Sequence, residues 1–434
     1  MTQRALRAMA AAGIAALLAT TAACGSEDPE GKVDDKAEEA AEAAEEDGGA
    51  DAPGLPDYDP PVKFAEEPVI VPSTDKAIQR HTGRVLGGFR YVYAAPIDVL
   101  PGSLTVTSVA TGETMESWDV PKLGEGGELD GSVYAIDETS DGVVAVTAGV
   151  ARVEGTGSQP DSDVLRASAV GAEDGSEVWS TELDITDMVD SGRASIGLIQ
   201  ADGQRMLLRV GNANAYSEAV VLSMEDGSFR QVDSDFKAQG LHGDVVTGQV
   251  AHEKHDDRYQ AYRGEDASTG DEVWTYPYPE PLDRAEVDFG DRFIVVEVDN
   301  WAAEEEVEYA VLNVADGEVV MTWSEKAGSD CVDDMADSLV CIREEKGEKS
   351  LVSYDIASGE ERWRWEDGDS RKVPDHLYAG RNGAVYIGYT VEGKTVAIDG
   401  ESGDDLSGDI PFKLAEVGQG YAVSAASEVY LAEG

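Results

Sequence analysis

The sequence predicts an all-β chain: a β-propeller of four-stranded blades behind an N-terminal leader and tether. Three observations predict it. A short strand, a small-residue turn and a second strand recur seven times between residues 104 and 403. Two further short apolar runs precede each copy, as at Val144–Val150, Arg292–Val298 and Ala384–Tyr389. Helical periodicity is almost absent beyond the leader. Four short strands about every 45 residues is the pattern of propeller blades, in which stacking buries sheet faces that one blade would leave wet.

Residues 1–23 have the layout of a secretory signal. Met1–Arg7 carries two positive charges, Ala8–Ala19 is apolar but short, and small residues follow. The stretch ends Thr21-Ala22-Ala23-Cys24-Gly25. This resembles a bacterial lipobox, with Thr21 where that family usually has Leu. The resemblance implies that Cys24 is the lipidated first residue of the mature chain, with a folded body outside the cytoplasm and anchored to the bacterial cell membrane. Ordinary cleavage after Ala23, leaving a free thiol, is the other reading. Residues 24–61 include Glu38–Glu46, rich in Ala and Glu, and several prolines. They lack the apolar side chains of a core and read as a disordered tether with a reach of roughly 35 Å.

From residue 62 the repeats take over. Their turn glycines are Gly112, Gly175, Gly227, Gly270, Gly317, Gly359 and Gly403, each expected to supply positive φ at a tight hairpin. The strands in front are Leu104–Val109, Leu165–Val170, Ala219–Met224, Tyr259–Arg263, Tyr309–Val314, Leu351–Ile356 and Thr395–Asp399. A Trp follows four residues after the Gly at Trp179, Trp274 and Trp363, and six after at Trp118 and Trp323; the third and seventh copies have none. These rings are expected to fill the space between neighbouring sheets. Beyond Gly403, Asp404–Ile410 is a poor last strand, and Lys413–Val417, Tyr421–Ala425 and Glu428–Leu431 form three strands of another blade. Pro68–Val71 is expected to complete that blade and join the two ends of the chain, which gives eight blades; seven result if the terminal strands fold back on the first blade.

The unit Tyr354-Asp355-Ile356-Ala357-Ser358-Gly359-Glu360-Glu361-Arg362-Trp363 closely resembles the repeat of quinoprotein-like (PQQ-like) propellers, as does Glu265–Trp274. WD40 is the weaker match, because Trp118-Asp119 has no Gly-His partner. The PQQ-like repeat occurs in BamB-type envelope lipoproteins, in extracellular sensor domains and in quinoprotein alcohol dehydrogenases. Those dehydrogenases carry vicinal cysteines and a calcium ligand set. This chain has no vicinal cysteines, and no cofactor and no metal are expected. Cys331 and Cys341 lie in the two arms of a predicted hairpin, Asp330–Val332 and Leu339–Ile342, at equal distance from Ala336. Outside the cytoplasm a structural disulfide is the expectation, with two buried thiols as the alternative.

Charge narrows the partners. Lys and Arg total 33 against 88 acids, a net of −55, and that field repels nucleic acid and anionic lipid. The clusters Asp399-Gly400-Glu401 and Asp367-Gly368-Asp369 do not continue into a calcium loop and read as turns. His252–Asp257 is the one histidine cluster and reads as a solvated loop; His81, His242 and His376 stand alone. No nucleophile elbow or phosphate loop is present, so no catalytic residues are assigned.

A binding rim is the remaining candidate. The connections between the second and third strands look elaborated at Arg152–Asp163, Gly211–Ser217, His252–Asp257 and Asn300–Glu306. They bring Tyr216, His255 and Trp301 to the rim opposite the glycine turns, where insertions often mark a contact surface. The expectation is a monomeric, non-enzymatic binding or scaffold protein of the cell envelope, engaging an envelope protein or a wall polymer and touching the membrane through its lipid alone. A quinoprotein-like or carbohydrate-active enzyme, or an extracellular sensor module, are the alternatives.

Overall fold

A computed structural model describes Leu55, residues 58–71 and most of 80–433. Outside the description are residues 1–54, 56–57, 72–79, 87, 96–101, 121–128, 141, 159–160, 190–193, 213–214, 253–254, 283–286, 290–291, 299–306, 326–329, 346–347, 368–370 and 434. The leader, Cys24 and most of the expected tether therefore lie outside the described residues.

The described strands form eight antiparallel sheets in chain order. Blade one comprises Arg80–Leu86, Phe89–Ala95, Ser103–Ser108 and Thr114–Asp119; blade two comprises Leu129–Thr139, Gly142–Val153, Ser162–Gly171 and Glu177–Asp184. Blade three runs from Ala194–Asp202 to Phe229–Gln231, blade four from Phe236–His242 to Glu272–Leu282, blade five from Val287–Phe289 to Val319–Glu325, and blade six from Asp330–Asp333 to Glu361–Glu366. Blade seven has His376–Arg381, Ala384–Tyr389 and Lys394–Asp399, and its fourth edge is two single bridges, Thr395 to Ile410 and Ile398 to Asp405.

Burial follows position in the blade. A middle strand such as Gly142–Val153 meets a neighbouring sheet on each face and is buried without interruption from Val144 to Ala151. The outermost Glu177–Asp184 alternates, with every second residue exposed. A side-chain period of two makes this the sequence signature of outside against middle.

Blade eight closes the circle. Leu414–Gly418, Tyr421–Ser424 and Val429–Leu431 come from the end of the chain, and the fourth edge comes from its start. Ile70 bridges Val429 and Phe64 bridges Ala432, with Val69 N–H donating to the Val429 carbonyl at 2.8 Å and Ala65 N–H to that of Leu431 at 2.9 Å. Contacts reach further back than residue 62. Tyr386 Oη donates to the Pro61 carbonyl at 2.6 Å, Asp59 pairs with Arg381, and Leu55 packs beside Val85 and Tyr421. The last residues of the stretch expected as tether thus have partners on the ring.

Eight apolar clusters fill the eight seams. One joins blades two and three around Val146, Leu165, Met206 and Leu222, and others join every further neighbouring pair. The last, Val85, Val109, Tyr421 and Val429, joins blade one to blade eight. A cluster in every seam is what a closed ring requires.

Cys331 and Cys341 pair directly across the first hairpin of blade six and form a disulfide, Cα to Cα 4.1 Å. Their separation of 10 residues closes a short loop, so its loss should cost about 2–3 kcal/mol through the unfolded chain. Urea unfolding with and without reductant measures this. Equal midpoints would show that the link adds no stability.

Candidate functional site

The rim carrying the repeat turns is the best-defined surface. All seven turn glycines have φ between 68° and 81°. Each donates its N–H to the carbonyl four residues before it, as from Gly270 to Asp266 and Gly359 to Asp355, at 2.9 and 2.8 Å. The acids flanking these glycines cap the turn. Asp266 Oδ1 accepts from Ser268 N, Ser268 Oγ and Thr269 N; Asp355 Oδ1 accepts from Ser358 N and Oγ; Asp399 Oδ1 accepts from Ser402 N. The turn acids therefore serve the turns.

These bonds stabilise the ionised form. The Ser268 bond, with Thr269, holds Asp266 down at about 2, and Arg362 with the Ser358 bonds holds Asp355 at about 2. A depressed carboxylate contributes stability that is full above the unfolded value near 4 and lost as pH falls through the folded value. Melting temperature should therefore drop between pH 4 and pH 2, and less so in Asp266→Asn/Asp355→Asn. An unchanged acid limb in that double variant would count against the capping role. Glu265, pushed upward by burial against the pull of Arg263 and Arg230, acts in the opposite direction.

Each turn also receives a side chain from the blade before it. A Cβ at Gly175 would fall 2.4 Å from the Trp118 ring, and one at Gly317 2.6 Å from Trp274. Trp179, Trp274 and Trp363 donate Nε1–H to the carbonyls of Met224, Val314 and Gly400 in the next blade, at 2.9, 2.7 and 3.0 Å. Trp323 departs from this and stacks between Tyr309 and Tyr354, centroids 5.4 and 6.3 Å away. Blade three has no Trp, and Arg230 takes its place over Gly270 while donating Nε–H to the Ala267 carbonyl at 2.8 Å.

Arginine–aspartate pairs clasp alternate seams at the first turn of each blade. Arg84 meets Asp137, Arg205 meets Asp244, Arg381 meets Asp59, and Arg292 grips Asp333 with two nitrogens while donating to the Ala336 carbonyl at 2.9 Å. Sequence reasoning missed these pairs and the Arg230 substitution. Arginines near the first turns of blades one, three, five and seven are local features, but 39 to 322 residues separate them from their partners.

The opposite rim corrects two expectations. Gly211–Ser217 is not an elaborated loop: Asn212 pairs with Ala215 and Gly211 with Tyr216, which leaves Ser217 as a one-residue bulge. His252 pairs with His255, but residues 256–258 bulge out before Ala251 meets Tyr259, so this connection is a short hairpin standing on a bulge. Backbone pairing simply extends further than the apolar pattern suggested. The Arg152–Asp163 connection is organised by Asp161, which accepts from Gly155 N at 3.0 Å and pairs with Arg152 at 3.3 Å. Trp301, and the side chains of Tyr216 and His255, lie outside the described residues. Among the described residues no three His, Cys, Asp or Glu converge as a metal set.

One further pocket, of about 230 Å³, lies in the closing seam between Arg84 and Arg90 of blade one and Glu416, Ser424 and Ser427 of blade eight. A second, of about 250 Å³, lies between blades three and four beside Arg205, Glu225 and Arg230.

No protein-family model matches the chain, and no curated protein matches it. Solved structures do. A europium-containing methanol dehydrogenase is similar with a TM-score of 0.39 at 10% identity, over 85% of this chain and 86% of that one. A quinohemoprotein alcohol dehydrogenase from Comamonas testosteroni gives 0.40 at 12%, over 86% and 70%. The WD40 domain of SCAP from fission yeast gives 0.37 at 12%, over 72% and 82%. The blades themselves, eight sheets joined by eight apolar seams and closed by pairing of the chain's two ends, establish the fold as an eight-bladed β-propeller.

Proposed function

We propose that this protein is a lipid-anchored, extracytoplasmic propeller acting as a non-enzymatic binding or scaffold protein of the cell envelope. The observation that carries this reading is the closed ring with an apolar cluster in every seam, because it presents two rigid rims whose turns need not reorganise on binding. The turn acids support it, since their oxygens are already committed to backbone amides. Cys24 supplies the anchor, and the chain works as a monomer. Its charge of −55 favours a cationic protein face or a wall polymer over nucleic acid.

Photo-crosslinking from the Arg152–Asp163 connection in intact cells tests the reading. Capture of a discrete envelope component, lost when that connection is shortened while the melting temperature holds, is the expected result. Two outcomes would overturn it. One is a bound chromophore or a melting shift on adding quinone with calcium, which would favour the enzyme; the other is a Cys24→Ser protein that still fractionates with membranes.

A further inference from the structure

We propose that the seam between blade one and blade eight is a binding site for a small zwitterion of the free amino-acid class, its carboxylate held by Arg90 and its ammonium facing Glu416.

The argument starts with Arg90. It lies in Phe89–Ala95 and is only 4% exposed, and no described residue gives its Nη1 a hydrogen-bond partner. Burying a guanidinium without a carboxylate is costly. Other sheltered arginines of this ring have a carboxylate beside them: Arg263 bonds Glu265, Arg362 bonds Asp355, and Arg230 lies 3.5 Å from Glu265. For Arg90 the acid that acts on it is Glu416, through space, and one oxygen of Glu416 already accepts from Tyr421 Oη at 2.8 Å. Desolvation is the larger influence on Arg90 and lowers its affinity for its own proton. A planar guanidinium fork in this setting lacks a carboxylate, the group that it binds with two parallel N–H···O bonds.

The seam has room for one. Among the described residues its apolar cluster contains four buried ones, against seven or more in every other seam. The unfilled space is the pocket of about 230 Å³ walled by Arg84, Arg90, Glu416, Ser424 and Ser427. That is the share of roughly eight waters at about 30 Å³ each, enough for a small amino acid.

Charge selects the ligand. Arg84 is neutralised by Asp137, leaving Arg90 and Glu416 as one positive and one negative wall. A bare anion would face Glu416, and a bare cation would face Arg90. A molecule carrying both charges a few ångströms apart leaves the seam neutral and answers both walls. The serine hydroxyls of Ser424 and Ser427 offer further donors or acceptors.

Isothermal titration of the folded protein with glycine, alanine, serine and the other free amino acids tests this, with acetate, ethylammonium and phosphate as controls. Saturable one-to-one binding of at least one amino acid is expected, with acetate and ethylammonium each at least tenfold weaker. Arg90→Met should abolish it and Glu416→Gln should weaken it at least tenfold. Melting curves guard against misfolding. Removing an unpaired buried charge should leave Arg90→Met as stable as the parent or more so, whereas a structural arginine would make that variant melt lower. The proposal is overturned if no amino acid binds, if binding survives Arg90→Met, if acetate or phosphate binds as well as the amino acids, or if Arg90→Met melts lower with no change in ligand response.

Discussion

Trp274→Ala is expected to lower the stability of the ring by about 3–5 kcal/mol, the usual cost of removing a buried Trp. The ring is 6% exposed, stacks on Tyr262 at 6.2 Å, and lies against Gly317 of the next blade. Truncation leaves a cavity in the seam between blades four and five and strands the Val314 carbonyl that its Nε1–H had satisfied at 2.7 Å. No small rotation can repair both losses, because Gly317 brings only backbone to the seam. Urea unfolding followed by tryptophan fluorescence and far-ultraviolet dichroism measures the change. Val178→Ala, at an exposed position of the outer strand of blade two, should shift the midpoint very little. A loss at Trp274 no larger than at Val178 would mean that the interblade tryptophans are fillers without energetic weight.

Starting the chain at residue 72 should have a larger effect still: loss of the closed folded ring. The deletion removes the Ile70 and Phe64 bridges, the edge-on packing of Phe64 against Phe412 at 5.7 Å, the Tyr386 bond to Pro61 and the Arg381–Asp59 pair together. Val429–Leu431 would then become an open edge with unpaired amides, the condition that invites pairing between copies. Size-exclusion chromatography should show aggregate or a larger species than the parent protein gives. A peptide spanning residues 58–71, added during refolding, should restore the parent elution position. A truncated chain that eluted like the parent and kept its melting temperature would show that closure by the terminal strand is dispensable.

Much of this was legible before any coordinates. The strand in front of each turn, as Glu348–Asp355 in blade six, betrays itself by alternation and by the Asp-x-x-Ser-Gly that follows, because both are local requirements. A positive φ at Gly359 needs only Gly359. The hairpin pairing of Cys331 with Cys341 needs only ten residues and a period of two. What failed was of another kind. The hairpins at Asn212–Ala215 and His252–His255 look like loops in sequence because their residues are polar, yet backbone pairing does not depend on side-chain polarity.

By itself, then, the amino-acid order determined the repeating unit, its turns, the blade count it prefers and a net charge of −55. These are properties set within a few tens of residues. Only the tertiary structure decided which side chain docks on which turn, so that Arg230 does in blade three what Trp274 does in blade four. It also decided that Arg90 and Glu416 share one pocket. Those relations join residues of different blades, or of opposite chain ends, and ring closure brings them together without leaving a trace in the local pattern.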